Sequence, residues 1–279
     1  MKLFSIETGK FKLDGGAMHG VVPKTLWDKQ NPADDNNMCS WSMRCMLAEL
    51  GDRLILIDTG IGNKQDEKFF GHYDLHGEDT LKGSIQKAGY GPDEVTDVFL
   101  THLHFDHVGG AVDRVGDQLL PAFKNAQYWS NAAHWEWAVH PNAREKASFL
   151  KENIMPLQES GQLRFIETRD GEEWLPGFRI RYVNGHTEAM MLPLLDYKGH
   201  RILYCADLLP SKAHIPLPWI MGYDMRPLET LNEKTRILRE AAGTDTLLFF
   251  EHDYNVELCS LAETDKGIRA GSTLLLDEL

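Results

Sequence analysis

Residues 101–110 read Thr-His-Leu-His-Phe-Asp-His-Val-Gly-Gly, with three histidines and one aspartate between His102 and His107. No other feature constrains the chain as strongly. Packing gives no reason for four such side chains in six positions. A solvated histidine-rich loop is the plain alternative. It is the weaker one, because the run follows directly on a buried-strand pattern, Val95 to Leu100, and functional loops sit at strand ends. Imidazole nitrogen and carboxylate oxygen are the donors preferred by zinc and neighbouring divalent metals. In an extended stretch alternate side chains share a face, so His102, His104 and Asp106 converge while His107 points elsewhere. Gly109 and Gly110 are read as freeing the backbone for a tight turn beyond.

One such cluster holds too few donors for two metals, so further donors are expected at other strand ends. His186 follows Arg181-Tyr182-Val183-Asn184-Gly185, Asp207 follows Ile202-Leu203-Tyr204-Cys205-Ala206, and His252 follows Leu247-Leu248-Phe249-Phe250-Glu251. Singly, each reads as a surface or capping residue. Beside the first cluster, their shared position after an apolar strand favours ligation. Cys205, two residues before Asp207 and on the same side in extended geometry, is the nearest rival ligand and is read as core.

Short β-branched and apolar runs alternate with helical patterns along the chain. Arg44 to Leu50 and Arg53 to Asp58 read as a hairpin turning at Gly51-Asp52. Thr80 to Ala88 is an amphipathic helix stopped by glycine. Ser130 to Val139 and Ala143 to Glu152 read as helices, and so does Leu228 to Ala242, capped by Gly243. Phe178 to Val183, Met190 to Leu195, Arg201 to Ala206 and Thr246 to Phe250 read as strands. No repeat or linker divides residues 1–279, which are taken as one domain. The order suits two mixed sheets face to face with helices outside, an α/β, four-layer αββα sandwich.

The net charge of −13 and the absence of a basic run disfavour a nucleic-acid partner. The N-terminal segment is polar within seven residues and no apolar stretch follows, so neither a membrane partner nor export is expected. Four cysteines without a CxxC pair, Cys39, Cys45, Cys205 and Cys259, read as reduced and mostly buried thiols. A cytoplasmic protein with a small-molecule substrate is expected, and a homodimer is allowed.

With its HxHxDH run and the later His186, Asp207 and His252, the sequence resembles the metallo-β-lactamase-fold hydrolases, from the Asp58-Thr59-Gly60 turn to His252. The resemblance implies two divalent ions, with zinc preferred and manganese or iron as alternatives. His102, His104 and His186 would hold one, Asp106, His107 and His252 the other, and Asp207 would bridge. A shared hydroxide would be the nucleophile, and Asp106 would guide a proton to the leaving group. Asp58 resembles the aspartate that orients a ligating histidine.

Histidine at position 104 speaks against flavo-diiron reductases, and aspartate at 207 against true β-lactamases. Too little chain follows His252 for the helical extension of glyoxalase II, and the acidic charge speaks against the nucleases. A lactonase or esterase is left, resembling the branch that includes methyl parathion hydrolase. Two departures stand beside this. Gly185-His186-Thr187 is followed by Glu188-Ala189 where Pro-Gly is usual, and Pro210 stands where many lactonases carry tyrosine. His214 or Tyr223 is the expected replacement donor. Met18, His19 and Trp219, in two apolar loops, are candidate pocket walls, and Lys24 and Lys212 candidate partners for an anionic group. A thioesterase, a phosphotriesterase, a mononuclear iron persulfide dioxygenase and a non-catalytic metal sensor are the competing readings.

Overall fold

In the computed structural model, which describes residues 1–279, the chain divides into two compact units. One comprises Met1–Gly9, Met43–Gly71 and His76–Thr168; the other comprises Lys10–Ser42, His72–Leu75 and Arg169–Leu279. The units interleave along the chain, so no linker exists for a sequence reading to find. Two strands, β1 (Lys2–Asp14) and β2 (Met38–Leu50), run through both.

The sheet of the first unit is ordered β1-β2-β3-β4-β7-β8, with β3 at Arg53–Ile57, β4 at Asp97–Phe99, β7 at Gln127–Ser130 and β8 at Leu163–Phe165. β2 and β3 are antiparallel, with Leu50 opposite Arg53 across the expected Gly51-Asp52 turn. From β3 onward the strands are parallel, and the inner strands β3 and β4 are almost wholly buried, as parallel strands usually are. Val98, Leu56, Leu103, Val108, Tyr128 and Ile154 gather in one core. Burying each such side chain is worth about 1.5–3 kcal/mol. A small hairpin of β5 (Val112–Val115) and β6 (Gln118–Pro121) lies apart from the sheet.

The second unit holds a sheet ordered β15-β14-β13-β12-β11-β10-β9. Its strands are β9 (Glu173–Leu175), β10 (Phe178–Val183), β11 (Met190–Tyr197), β12 (His200–Tyr204), β13 (Thr246–Phe249), β14 (Leu258–Thr264) and β15 (Gly267–Leu274). It is antiparallel except between β12 and β13. Both sheets are therefore mixed, as expected. The helices are α1 (Gly15–His19), α2 (Lys24–Trp27), α3 (Glu67–Phe70), α4 (Leu81–Lys87), α5 (Phe105–Val108), α6 (Ala132–Val139), α7 (Lys151–Glu159) and α8 (Pro227–Ala241). None is long and apolar enough to cross a membrane.

Two expectations are corrected. Ala143 to Glu152 is not a continuous helix; Asn142 caps a single turn, accepting from the backbone N–H groups of Arg144 and Glu145, and the Ser148 carbonyl then accepts from the Phe105 N–H at 2.9 Å. Helix α7 begins only at Lys151. The run His102–His107 is also not extended throughout, because α5 starts at Phe105.

Candidate metal centre

In the first unit the strand-like backbone ends at His104, and α5 carries Asp106 and His107. That helical turn brings His107 back toward His102, their ring centroids 3.9 Å apart, so His107 does not point elsewhere. His102 and His104 present ligand atoms within 4.8 Å of one another, and so do Asp106 and His107. All four side chains are buried.

The rings are held from behind. Asp58, fully buried and at φ 58°, accepts from the Thr101 backbone N–H (2.8 Å) and hydroxyl (2.6 Å), and its Oδ2 lies 3.2 Å from His107 Nδ1. Thr101 Oγ1 in turn lies 3.0 Å from His102 Nδ1. His104 Nε2 is 2.9 Å from Glu145 Oε1, and Glu145 is fixed by the Trp137 indole N–H at 2.6 Å and by Asn142. His134 Nε2 accepts from the Leu103 backbone N–H at 2.8 Å. Glu145 and His134 escaped the sequence reading, since neither carries a local signal.

Gly109 and Gly110 lie in a tight 3-10 turn, and their missing side chains also allow close approach. A Cβ on Gly109 would overlap the Ile61 carbonyl, and one on Gly110 the Thr59 carbonyl. Gly110 N–H donates to Gly60 O at 3.0 Å, and Thr59 N–H and hydroxyl both donate to His107 O at 2.8 Å. Gly110→Ala is expected to cost about 2–3 kcal/mol, because backbone on both sides must shift. Urea denaturation measures this, and a loss under about 0.5 kcal/mol, the level of ordinary surface changes, would show that the loops yield freely.

In the second unit Asp207 lies in a 3-10 turn after β12, with Oδ2 3.1 Å from His186 Nε2 and Oδ1 3.2 Å from His252 Nε2. His186 Nδ1 is 2.9 Å from Asp224 Oδ1. His252 Nδ1 donates to the Ser42 carbonyl at 2.8 Å, while Ser42 N–H donates to the His252 carbonyl. Asp224 and Ser42 were also missed. Helix α8 supports the His186 turn, with Glu233 accepting from the N–H groups of Asn184 (2.6 Å) and Gly185 (3.0 Å). Where the Pro-Gly is missing, Ala189 takes a left-handed φ of 51° and its N–H bonds the Asn184 side chain, while Glu188 pairs with Arg226.

The donor set fits divalent metals on one consistent observation. Each of the five histidines has one ring nitrogen held by a carboxylate, carbonyl or hydroxyl: Nδ1 in His102, His107, His186 and His252, Nε2 in His104. The opposite nitrogen of each is then the one that would face a cation, with the tautomer that metal-bound imidazoles require. Burial opposes charge on His186, but Asp207 and Asp224 outweigh it and raise its pKa to about 10. A cation on His186 Nε2 must therefore displace a proton at any lower pH. Metal affinity is expected to rise about tenfold per pH unit between roughly pH 6.5 and 8.5. Competition with a chelating dye checks it, and a flat profile would remove His186 from the ligand set.

Cys205 is no rival: its buried Sγ donates to the Leu203 carbonyl. All four cysteines are free and buried, as expected. The candidate pocket residues divide. Met18, His19 and His214 are 1%, 0% and 1% exposed and form no open wall. His19 and His214 stack at 4.9 Å, and burial lowers both pKa values, that of His19 to about 4. His214 cannot be the replacement donor, because Ser211 and the Met18 carbonyl occupy its two nitrogens. Tyr223 is 38% exposed and Trp219 half-buried, edge-on to His19 at 5.6 Å.

Residues 44–252 match the metallo-beta-lactamase superfamily. The chain is 25% identical over 269 residues to the N-acyl homoserine lactonase AiiA of Bacillus thuringiensis subsp. kurstaki, covering 92% of this chain and 94% of the relative. A probable metal-dependent hydrolase from Staphylococcus aureus superposes with a TM-score of 0.86 at 27% identity, covering 98% and 96% of the two chains. AidC, a dizinc quorum-quenching lactonase, shares the fold with a TM-score of 0.77 at 22% identity over 98% and 94%. The histidine–aspartate run, the donors after β10, β12 and β13 and this match over most of the chain lead to one conclusion: the protein belongs to the metallo-β-lactamase superfamily and has its α/β fold of mixed sheets and flanking helices.

Proposed function

We propose that the two ligand sets close on one binuclear centre that hydrolyses the ring of an N-acyl homoserine lactone or a related ester. His102, His104 and His186 would hold one cation, Asp106, His107 and His252 the other, and Asp207 would be shared. The observation that carries this reading is the Asp207 carboxylate, whose two oxygens face the imidazoles of His186 and His252 at 3.1 and 3.2 Å. Those two histidines belong to different cations in the proposed scheme, so the carboxylate between them is the natural bridge.

The chain is a hydrolase of its superfamily; the lactone class is supported by the near full-length match to AiiA. Divalent ions, zinc or equally manganese or iron by donor type, would supply Lewis acidity and a water acidified toward neutrality. The chain's own residues do the rest. Asp58, Glu145, Asp224 and the Ser42 carbonyl fix the ring orientations, and the buried Asp106 carboxylate carries a proton to the leaving oxygen. The charge of −13 supports a small uncharged substrate over a polyanion. A cytoplasmic setting, with a homodimer allowed, belongs to the same reading.

Metal-replete protein assayed against N-hexanoyl and N-decanoyl homoserine lactones, a thioester, an aryl phosphotriester and a β-lactam tests the proposal. Lactones are expected to lead by at least about 100-fold in kcat/KM. Another ester class leading the panel would overturn the substrate, and turnover indifferent to a chelator would overturn the centre.

A further inference from the structure

The second unit contains a cleft of about 340 Å³ that includes none of the proposed metal ligands. Its apolar side is Ile215, Pro216 and Trp219; Lys212 and Arg269 bring two cations to it, and Gln30 adds an amide. That volume lies at the lower end of the range for small-molecule sites. Neither cation is spent on an acid. Lys212 engages Asp253 only through its backbone N–H, at 2.8 Å, and the Arg269 guanidinium donates to the carbonyl of its neighbour Ile268. Lys24, the other lysine considered for an anionic group, is bonded to Asn37 and lies over the Trp27 ring.

The apolar wall is also built to hold its shape. Lys234 of α8 is fully buried, and its ammonium donates to the carbonyls of Pro216 (3.2 Å), Leu217 (3.3 Å) and Trp219 (2.7 Å). A buried ammonium is costly unless its donors are satisfied, and here one loop satisfies all three. Lys234 thereby fixes the course of residues 216–219 and with it the side chain of Trp219.

We infer that this cleft is a binding site for a small amphiphilic carboxylate, with the charged head on Lys212 and Arg269 and the apolar tail against Ile215, Pro216 and Trp219. Two unpaired cations beside a fixed apolar wall complement that class, and an uncharged molecule would use only half of the site. The inference stands apart from the lactonase reading, since the cleft needs no metal and no turnover.

Titration calorimetry with decanoate and decan-1-ol tests it on the whole metal-replete protein. Saturable decanoate binding is expected, at least about tenfold tighter than decanol and weakened by salt. Lys212→Gln with Arg269→Gln should erase the preference for the carboxylate, and Trp219→Ala should weaken both ligands. Both sets of changes lie at partly exposed positions, and thermal melting verifies folding. Lys234→Met should lower affinity without touching a cleft cation. Decanoate binding that survives Lys212→Gln/Arg269→Gln but vanishes in Asp207→Ala would assign it to the metal centre and overturn the site. Equal affinity for decanol, or no saturable binding, would overturn it as well.

Discussion

Asp207→Ala is expected to lose at least about a thousandfold in kcat/KM, or about 4 kcal/mol of transition-state stabilisation, together with part of its bound metal. The carboxylate stands between His186 and His252 with one oxygen toward each. Alanine would leave the proposed cations unbridged and set their mutual repulsion against the remaining imidazoles. Elemental analysis of the purified variant, alongside lactone kinetics, separates lost metal from lost chemistry. Asp207→Asn should fall between, because the amide keeps the shape and loses the charge. Cys205→Ser should leave metal content unchanged, as that thiol faces the Leu203 carbonyl. Full activity in Asp207→Ala with metal loss in Cys205→Ser would reverse the assignment.

Asp58→Ala is expected to weaken metal binding by about 10–100-fold and to destabilise the fold by about 2–4 kcal/mol. Both effects come from one carboxylate, which accepts from Thr101 twice and faces His107 Nδ1. Removing it strands a buried N–H and a buried hydroxyl while the His107 ring loses its orienting partner. Denaturation in the presence of chelator reads the lost stability, and metal competition on the folded protein reads the lost affinity. Lost stability with unchanged metal affinity would make Asp58 a fold anchor only.

The candidate donors were legible because their signal is local. His102, His104, Asp106 and His107 crowd one loop, and His186, Asp207 and His252 follow strands that read as apolar runs. The side chains behind them were not legible. Asp224 meets His186 across 38 positions, Glu145 meets His104 across 41, and the Ser42 carbonyl meets His252 across 210. Nothing in the composition around such residues marks them, since only tertiary packing creates the pair. The misread helix at 143–152 has a tertiary cause. Asn142 caps one turn, but the Phe105 N–H donates to the Ser148 carbonyl, and helix periodicity carries no trace of that contact. Met18 and His19 read as cavity walls, yet they pack inward against His214. Hydropathy alone does not distinguish a lining from a filling.

The bond between Ser42 and His252 has a consequence for how the protein is made. At ribosomal rates of about 5–20 residues per second, roughly 10–40 seconds separate the emergence of these two residues. Throughout that interval Lys10–Ser42, with the apolar side chains of Phe11, Trp27 and Trp41, has no access to the later partners that bury it. Contacts so distant in sequence also slow folding after release, because loop closure precedes any gain from them. The nascent chain is thus expected to lean on chaperones, and its soluble yield to fall with expression temperature sooner than the Tm of the finished protein would suggest.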